Sequence, residues 1–459
     1  MIWAALPASA DAHGLVGRTD LPIPQWLFAW VAAIVLIVSF AALSMLWPQP
    51  RLERAEPRRR FAIPLVVRVL AGAVGIAVFG ITLYAGFAGT EVPTANLAPT
   101  VIYVAFWVGI PILSAFVGDF WRAFSPWRAL ARAIAWAAAR LRGGRELRAP
   151  LAYPDWLGRW PAALGVLAFA WVELVYIDRD DPATLALLAL VYALVQLGGM
   201  GLFGIERWRT RGDAFGVLFD LYGRLSPIEL KDGVVSTRPP LSGLPKLDAN
   251  VAGTVPLLAM MIGTTTFDGA SNGELWTSVA PHLQDLFGNV GFSITPASEL
   301  ASSLGLVVCV LVVGGFYWLG IAGMRSVGGD LTTSELAHRF VHTLVPIAFG
   351  YLLAHYFSLL AYQGQALGYL VSDPLGHGSN LFGTANSTVD YTILSAASIW
   401  YVQVAALVAG HVAGLVLAHD RALTLYRDAG EAVRSQYWML VVMVGFTCLG
   451  LWLLSAVST

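Results

Sequence analysis

Apolar runs of about 20 residues, the length a helix needs to cross a bilayer, recur along nearly the whole chain. Ten stretches qualify: 25–47, 62–88, 99–117, 161–177, 184–204, 251–267, 302–323, 336–360, 392–418 and 437–457. The fourth and sixth are the least extended. The pattern predicts an all-α fold, a polytopic membrane protein of about ten transmembrane helices. From Ser125 to Arg142 the period is helical but amphipathic. Trp127, Leu130, Ile134, Ala138 and Leu141 share one face and Arg128, Arg132 and Arg140 the other, which predicts a helix lying on the membrane with its arginines toward lipid phosphates. Residues 213–227 suggest a second such helix. The segment 233–250, with Pro239, Pro240 and Pro245, reads as an irregular linker between a five-helix half, 25–232, and a second, 251–459. Residues 1–24 read as an outer tail, or as a signal peptide clipped after Ala10-Asp11-Ala12.

Charge sets the orientation. With the N-terminus outside, 26 of the 28 Lys and Arg residues fall in 48–68, 118–160, 205–250, 324–339 and 419–436, leaving only Arg18 and Arg179 outside. Cytoplasmic segments carry such an excess, so both termini are expected outside. Arginine outnumbers lysine 26 to 2, the codon signature of a GC-rich bacterial genome, and the expected location is a bacterial cell membrane. The composition agrees: 57% hydrophobic and 12% charged, against about 25% charged in soluble domains. A net charge of −1 gives no basic field for nucleic acid; the expected partners are the lipid bilayer and a small molecule or ion. Cys309 and Cys448 lie in apolar runs and read as packing residues.

Ionisable groups inside a bilayer are costly and therefore point to function. Seven of the eight histidines follow residue 250. His342 and His411 fall at similar depth in consecutive helices, with His338 and His419 at the cytoplasmic edge, and His338 and His342 are spaced to share a face. Such a patch could hold a divalent metal, ligate haem or only join helices. Toward the outside, His355, Asp268 and Glu173, with Glu274, Asp373 and Asp390 in the acidic outer segments 268–301 and 361–391, could hold a metal that activates water, or could serve separate turns and caps. Asp268 and His355 are the expected catalytic pair, on the floor of an outward-facing cavity built by the C-terminal half.

Several stretches resemble a family of actinobacterial multipass membrane proteins known as fenitrothion hydrolases: His13-Gly-Leu-Val-Gly-Arg18, Phe124-Ser-Pro-Trp-Arg-Ala129, Gly212-Asp-Ala-Phe215, Thr266-Phe-Asp-Gly269, Phe340-Val-His342, Ala354-His-Tyr-Phe-Ser358, Ser372-Asp-Pro374, Gly410-His411 and Ala418-His-Asp-Arg421. The resemblance implies a metal-assisted phosphotriester hydrolase. The residues by themselves leave two rivals, a transporter or channel for a metal ion or small solute, and a haem- or quinone-linked redox protein.

Overall fold

The computed structural model describes residues 25–455 apart from 146–147, 232, 329 and 427; the expected outer tail lies outside the described residues. Among the described residues the chain is mainly helical. The N-terminal half contains α1 (Gln25–Leu46), α2 (Leu65–Ala88), α3 (Leu97–Thr100), α4 (Ile110–Val117), α5 (Trp121–Phe124), α6 (Pro126–Leu141), α7 (Trp160–Leu174), α8 (Pro182–Phe203), α9 (Ile205–Arg211) and α10 (Ala214–Gly223). The C-terminal half contains α11 (Thr254–Ser271), α12 (Glu274–Asn289), α13 (Ile294–Ser326), α14 (Thr333–Phe340), α15 (Leu344–Leu370), α16 (Ala396–Leu425), α17 (Ala429–Ser435) and α18 (Tyr437–Ser455). A π-helical stretch, Val101–Gly109, joins α3 to α4, so that Leu97–Val117 is one continuous apolar rod.

Among the described residues, eight helices are long and apolar enough to cross a membrane. The two expected spans outside that set are α7, with 15 residues, and α11, with 18. Helix α7 is apolar but short, with one buried face; α11 is polar because it sits inside the bundle. In α11, 14 residues are buried, among them Thr264, Thr265 and Thr266, whose hydroxyls can bond back to the preceding turn, as Thr265 and Thr266 do. The lipid-facing helices show the opposite pattern. In α2 only Gly72, Thr82, Ala85 and Gly86 are buried, while Val66, Val69, Leu70 and Tyr84 are exposed. Apolar residues face outward because the solvent is hydrocarbon.

One core cluster runs through helices of both halves. The most extensively packed pair is α15 against α16. A Cβ on Gly410 would stand 2.6 Å from the Pro346 carbonyl oxygen and 3.1 Å from Gly350 Cα, and one on Gly414 would stand 2.9 Å from Thr343 O. Small residues here let two backbones touch.

The basic segments converge on one face. An antiparallel sheet of order β1-β3-β2, formed by β1 (Arg58–Ala62), β2 (Ile228–Lys231) and β3 (Val234–Thr237), joins residues from distant parts of the chain there. The expected linker therefore begins as a strand and continues packed, with Leu244 and Leu247 buried. Also on this face Asp420 accepts from the Trp47 indole (2.8 Å) and from the backbone N–H groups of Arg51, Leu52 and Glu53 (2.6, 3.0 and 2.8 Å). Helix α6 forms as expected, capped by Ser125, but its arginines do not simply face lipid. Arg128 is buried and, with Arg132, pairs with Glu206. Residues 213–227 give α10, which is buried along most of its length rather than lying on a surface.

On the opposite face the expected long loops are largely helical. Segment 268–301 consists of the end of α11, the helix α12 and the start of α13, and α15 runs to Leu370 before an irregular stretch reaches α16. That stretch packs on the N-terminal half, where Thr90 N–H donates to Leu375 O at 2.8 Å and Leu97 N–H to Pro374 O at 3.2 Å.

Candidate functional site

A group of buried polar side chains meets where α7, α11 and α15 come together. Two turns set the height of α7 and α11. Gly158 and Gly253 take positive φ, +46° and +79°, and a Cβ on either would strike the other segment's backbone. Arg159 clamps the two starts, its N–H donating to Ala252 O at 2.6 Å and its guanidinium to the Thr254 hydroxyl at 2.7 Å. From these matched starts, Glu173 lies 13 residues into α7 and Asp268 14 residues into α11, each about 20 Å along its helix. Tyr356, 12 residues into α15, arrives at a similar height.

The Tyr356 hydroxyl bridges the two acids, 3.1 Å from Glu173 Oε1 and 3.0 Å from Asp268 Oδ2. His355 Nε2 lies 2.7 Å from the same Asp268 oxygen. All four side chains are buried, and the second Glu173 oxygen has no hydrogen-bond partner. The π-helical stretch supplies a fifth member: Trp107 is buried there with its ring centroid 6.4 Å from that of Tyr356. Local π-helix recurs at functional sites because it re-aims a side chain that an α-helix would direct elsewhere.

Hydrogen-bond bookkeeping constrains protonation. A tyrosine hydroxyl has one hydrogen and can donate to one of its two carboxyl neighbours. The other contact places two oxygens within about 3 Å, which is attractive only if that carboxyl carries a proton and donates to the tyrosine. One tyrosine hydroxyl thus joins Glu173 and Asp268 in a geometry suited to sharing a proton. Asp268 presents the same oxygen to His355 Nε2 as a close ion-pair contact without hydrogen-bond geometry, so the hydrogen-bonded chain runs Glu173–Tyr356–Asp268 with His355 beside its end.

The expected pair Asp268 and His355 is therefore brought together, with three differences from expectation. Asp268 lies within α11 and does not end it. Because α15 continues ten residues past the apolar run, His355 is near its middle. Two members, Glu173 and Trp107, belong to the N-terminal half, which contributes to the site and does not merely support it. Glu274, Asp373 and Asp390 stay apart: Glu274 opens α12, Asp373 accepts from the backbone of His377 and Gly378, and Asp390 from Thr392.

A metal fits neither expected place. Among the described residues no three His, Cys, Asp or Glu side chains form a group that could hold one; in the bundle interior a tyrosine hydroxyl stands between the two carboxyls. The inner histidines do separate jobs. His338 bonds Ser334 O and His419 bonds Trp47 O. His411 bonds Leu407 O and packs against Tyr351 and Phe446. His342 lies in the 3-10 turn Val341–Thr343, both ring nitrogens buried without partners. Since Thr343 packs on Gly414 and Gly350 on Gly410, His342 sits about one helical turn from the level of His411.

No protein-family model, curated protein or solved structure matches the chain.

Proposed function

We propose that this chain is a transport protein of a bacterial cell membrane that carries protons along Glu173, Tyr356 and Asp268 toward His355. The carrying observation is the contact of one buried tyrosine hydroxyl with two buried carboxyls from different helices. A charge-bearing chain inside apolar surroundings is costly, and proton relays of acids and histidine are a recurrent reason to keep one. In this reading α7 and α11 complete ten crossings, both ends lie outside, and the basic face with its small sheet lies in the cytoplasm; the segregation of Lys and Arg supports that orientation.

The phosphotriester hydrolase implied by the resemblance would need these groups to reach a bulky substrate. They are buried, and neither cavity described below nor the small apolar one beside His411 is lined by any of them.

The test uses the full-length protein in liposomes carrying an internal pH dye, with an imposed membrane potential, and infrared spectroscopy of the same samples. Wild type should show proton uptake and a protonated-carboxyl band; Glu173→Gln and Asp268→Asn should each lose uptake and change the band. Uptake equal to that of empty liposomes, with no carboxyl band sensitive to either substitution, refutes the proposal. Phosphotriester turnover that disappears in Asp268→Asn and His355→Ala would put the hydrolase in its place.

A further inference from the structure

A second polar concavity lies on the basic face. Its volume is about 270 Å³, and its polar lining comprises Arg68, Arg122, Arg128, Arg132, Lys231 and Asp119. The charges do not cancel. Asp119 is taken by Arg209 at 3.0 Å, and Glu206 is shared among Arg122, Arg128, Arg132 and Arg209. Among the described residues Arg68 and Lys231 have no ion-pair partner. The cations are held close together by the fold. The β2–β3 turn places Gly233 (φ +77°) so that a Cβ there would stand 2.9 Å from an Arg68 guanidinium nitrogen. Arg128 is fixed by Glu206 and by the Arg122 carbonyl. Like charges gathered in one pocket repel unless an anion joins them.

Position narrows the anion. Arg68 is in the first turn of α2, where that helix enters its apolar stretch. Next to it α6 exposes Ile134 and Leu141 on one face, an apolar side suited to the acyl-chain boundary, while Trp136 lies across the helix under the Arg140 guanidinium. The pocket thus opens at headgroup level, where basic pockets between helices receive anionic lipid.

We propose that this pocket binds a phosphate group, with Arg68 and Lys231 as the free cations that close on it and Arg122, Arg128 and Arg132 as its fixed floor. The source its position favours is the headgroup of an anionic phospholipid; a soluble phosphate would use the same chemistry. The inference leans on the membrane orientation in the preceding section only for the choice of source, and it is independent of the proton relay.

The experiment is native mass spectrometry of the full-length protein in neutral detergent. It is titrated in separate arms with phosphatidylglycerol, with phosphatidylcholine and with inorganic phosphate, and repeated on Arg68→Ala/Lys231→Ala, on Arg68→Lys/Lys231→Arg and on the distant control Arg54→Ala. Retention of phosphatidylglycerol over phosphatidylcholine, weakened about tenfold or more in the double alanine variant and kept in the charge-preserving and control variants, is the expected result. If inorganic phosphate binds with the same dependence and phosphatidylglycerol does not, the phosphate site stands and the lipid source is overturned. Equal retention of both lipids, with no binding of phosphate and no effect of the double alanine substitution, overturns the proposal.

Discussion

Replacing Asp420 by alanine tests how the basic face is held together. Four donors converge on this carboxylate, at 2.6 to 3.0 Å, from Trp47 and from three successive backbone N–H groups at residues 51–53. Its neighbour Arg421 pairs with Glu53 at 2.7 Å, so α16 clasps the segment that follows α1 with two adjacent residues. A hydrogen bond to a charged acceptor contributes about 1.5–3 kcal/mol, and an orphaned buried donor costs a similar amount. Only the Leu52 donor is fully buried; water can reach the other three once the carboxylate is gone. Alanine also removes the desolvation cost of a side chain that is wholly buried. These offsets bring the expected loss to about 3 kcal/mol, the lower end of the range for breaking a buried charged network. Asp420→Asn should fall nearly as far, because it turns an amide N–H toward N–H donors. The assay is retention of the monodisperse peak on size exclusion after heating in detergent, with exposed Asp155→Ala as control. If Asp420→Ala keeps the wild-type midpoint, the clasp is not a stability element and the reasoning fails.

Gly410→Ala should destabilise by about 1–3 kcal/mol, since its Cβ meets backbone that cannot yield; Gly198→Ala, whose Cβ would meet nothing within 4 Å, should unfold no earlier than wild type in the same heating assay. Burial pushes the Glu206 carboxyl up, but Arg128, Arg209 and Arg122 outweigh it and hold the group down at about 2, below its ordinary 4.5. A folded-state value below the unfolded one stabilises above about pH 4.5 and is lost as pH falls toward 2. Glu206→Gln should therefore flatten the acid-side fall in melting temperature across that window, by a modest amount because the side chain is partly exposed; parallel wild-type and variant profiles would contradict this. Tyr356→Phe should leave insertion and peak shape intact while removing the proton uptake of reconstituted protein, and unchanged uptake would show that the acids communicate by another route.

The lipid-facing helices were legible because hydrocarbon demands unbroken apolar stretches, and their bounds were misjudged where helix continues beyond lipid, as in α13 and α15. Of the two fainter helices, α11 is polar because protein surrounds it and Thr264–Thr266 need not be apolar, and α7 is apolar but only 15 residues long. The sheet was invisible: Arg58-Arg59-Arg60-Phe61-Ala62 reads as surface charge, and its partners lie far along the chain. At the site, Asp268 and His355 stood out as ionisable residues in apolar runs, whereas Tyr356 and Trp107 were hidden among many aromatics. Among the described residues the inner histidines form no group of three that could hold a metal, and the sequence contained a reason. Pro346 lacks an N–H and its ring crowds the carbonyl four residues earlier, that of His342. The helix breaks into a 3-10 turn at 341–343, and the spacing that would align His338 with His342 no longer applies.

Buried carboxyls in this protein fall into two kinds, and the difference separates architecture from function. Asp420 is surrounded by donors it fully satisfies, and Asp213 accepts from Trp127, Tyr192 and the Gly216 N–H, capping α10. Asp119 is paired with a buried arginine. Each is compensated where it stands, and each lies in or beside a segment that turns the chain at the basic face. Glu173 keeps an oxygen with no hydrogen-bond partner, and its other oxygen meets a hydroxyl that also serves a second acid. Folding alone gives no reason to retain such a group, because a glutamine or an apolar residue would fill the same space without a titratable charge. In the proposed relay the carboxyl adds a proton that can leave and return, and only the second kind of site could use it.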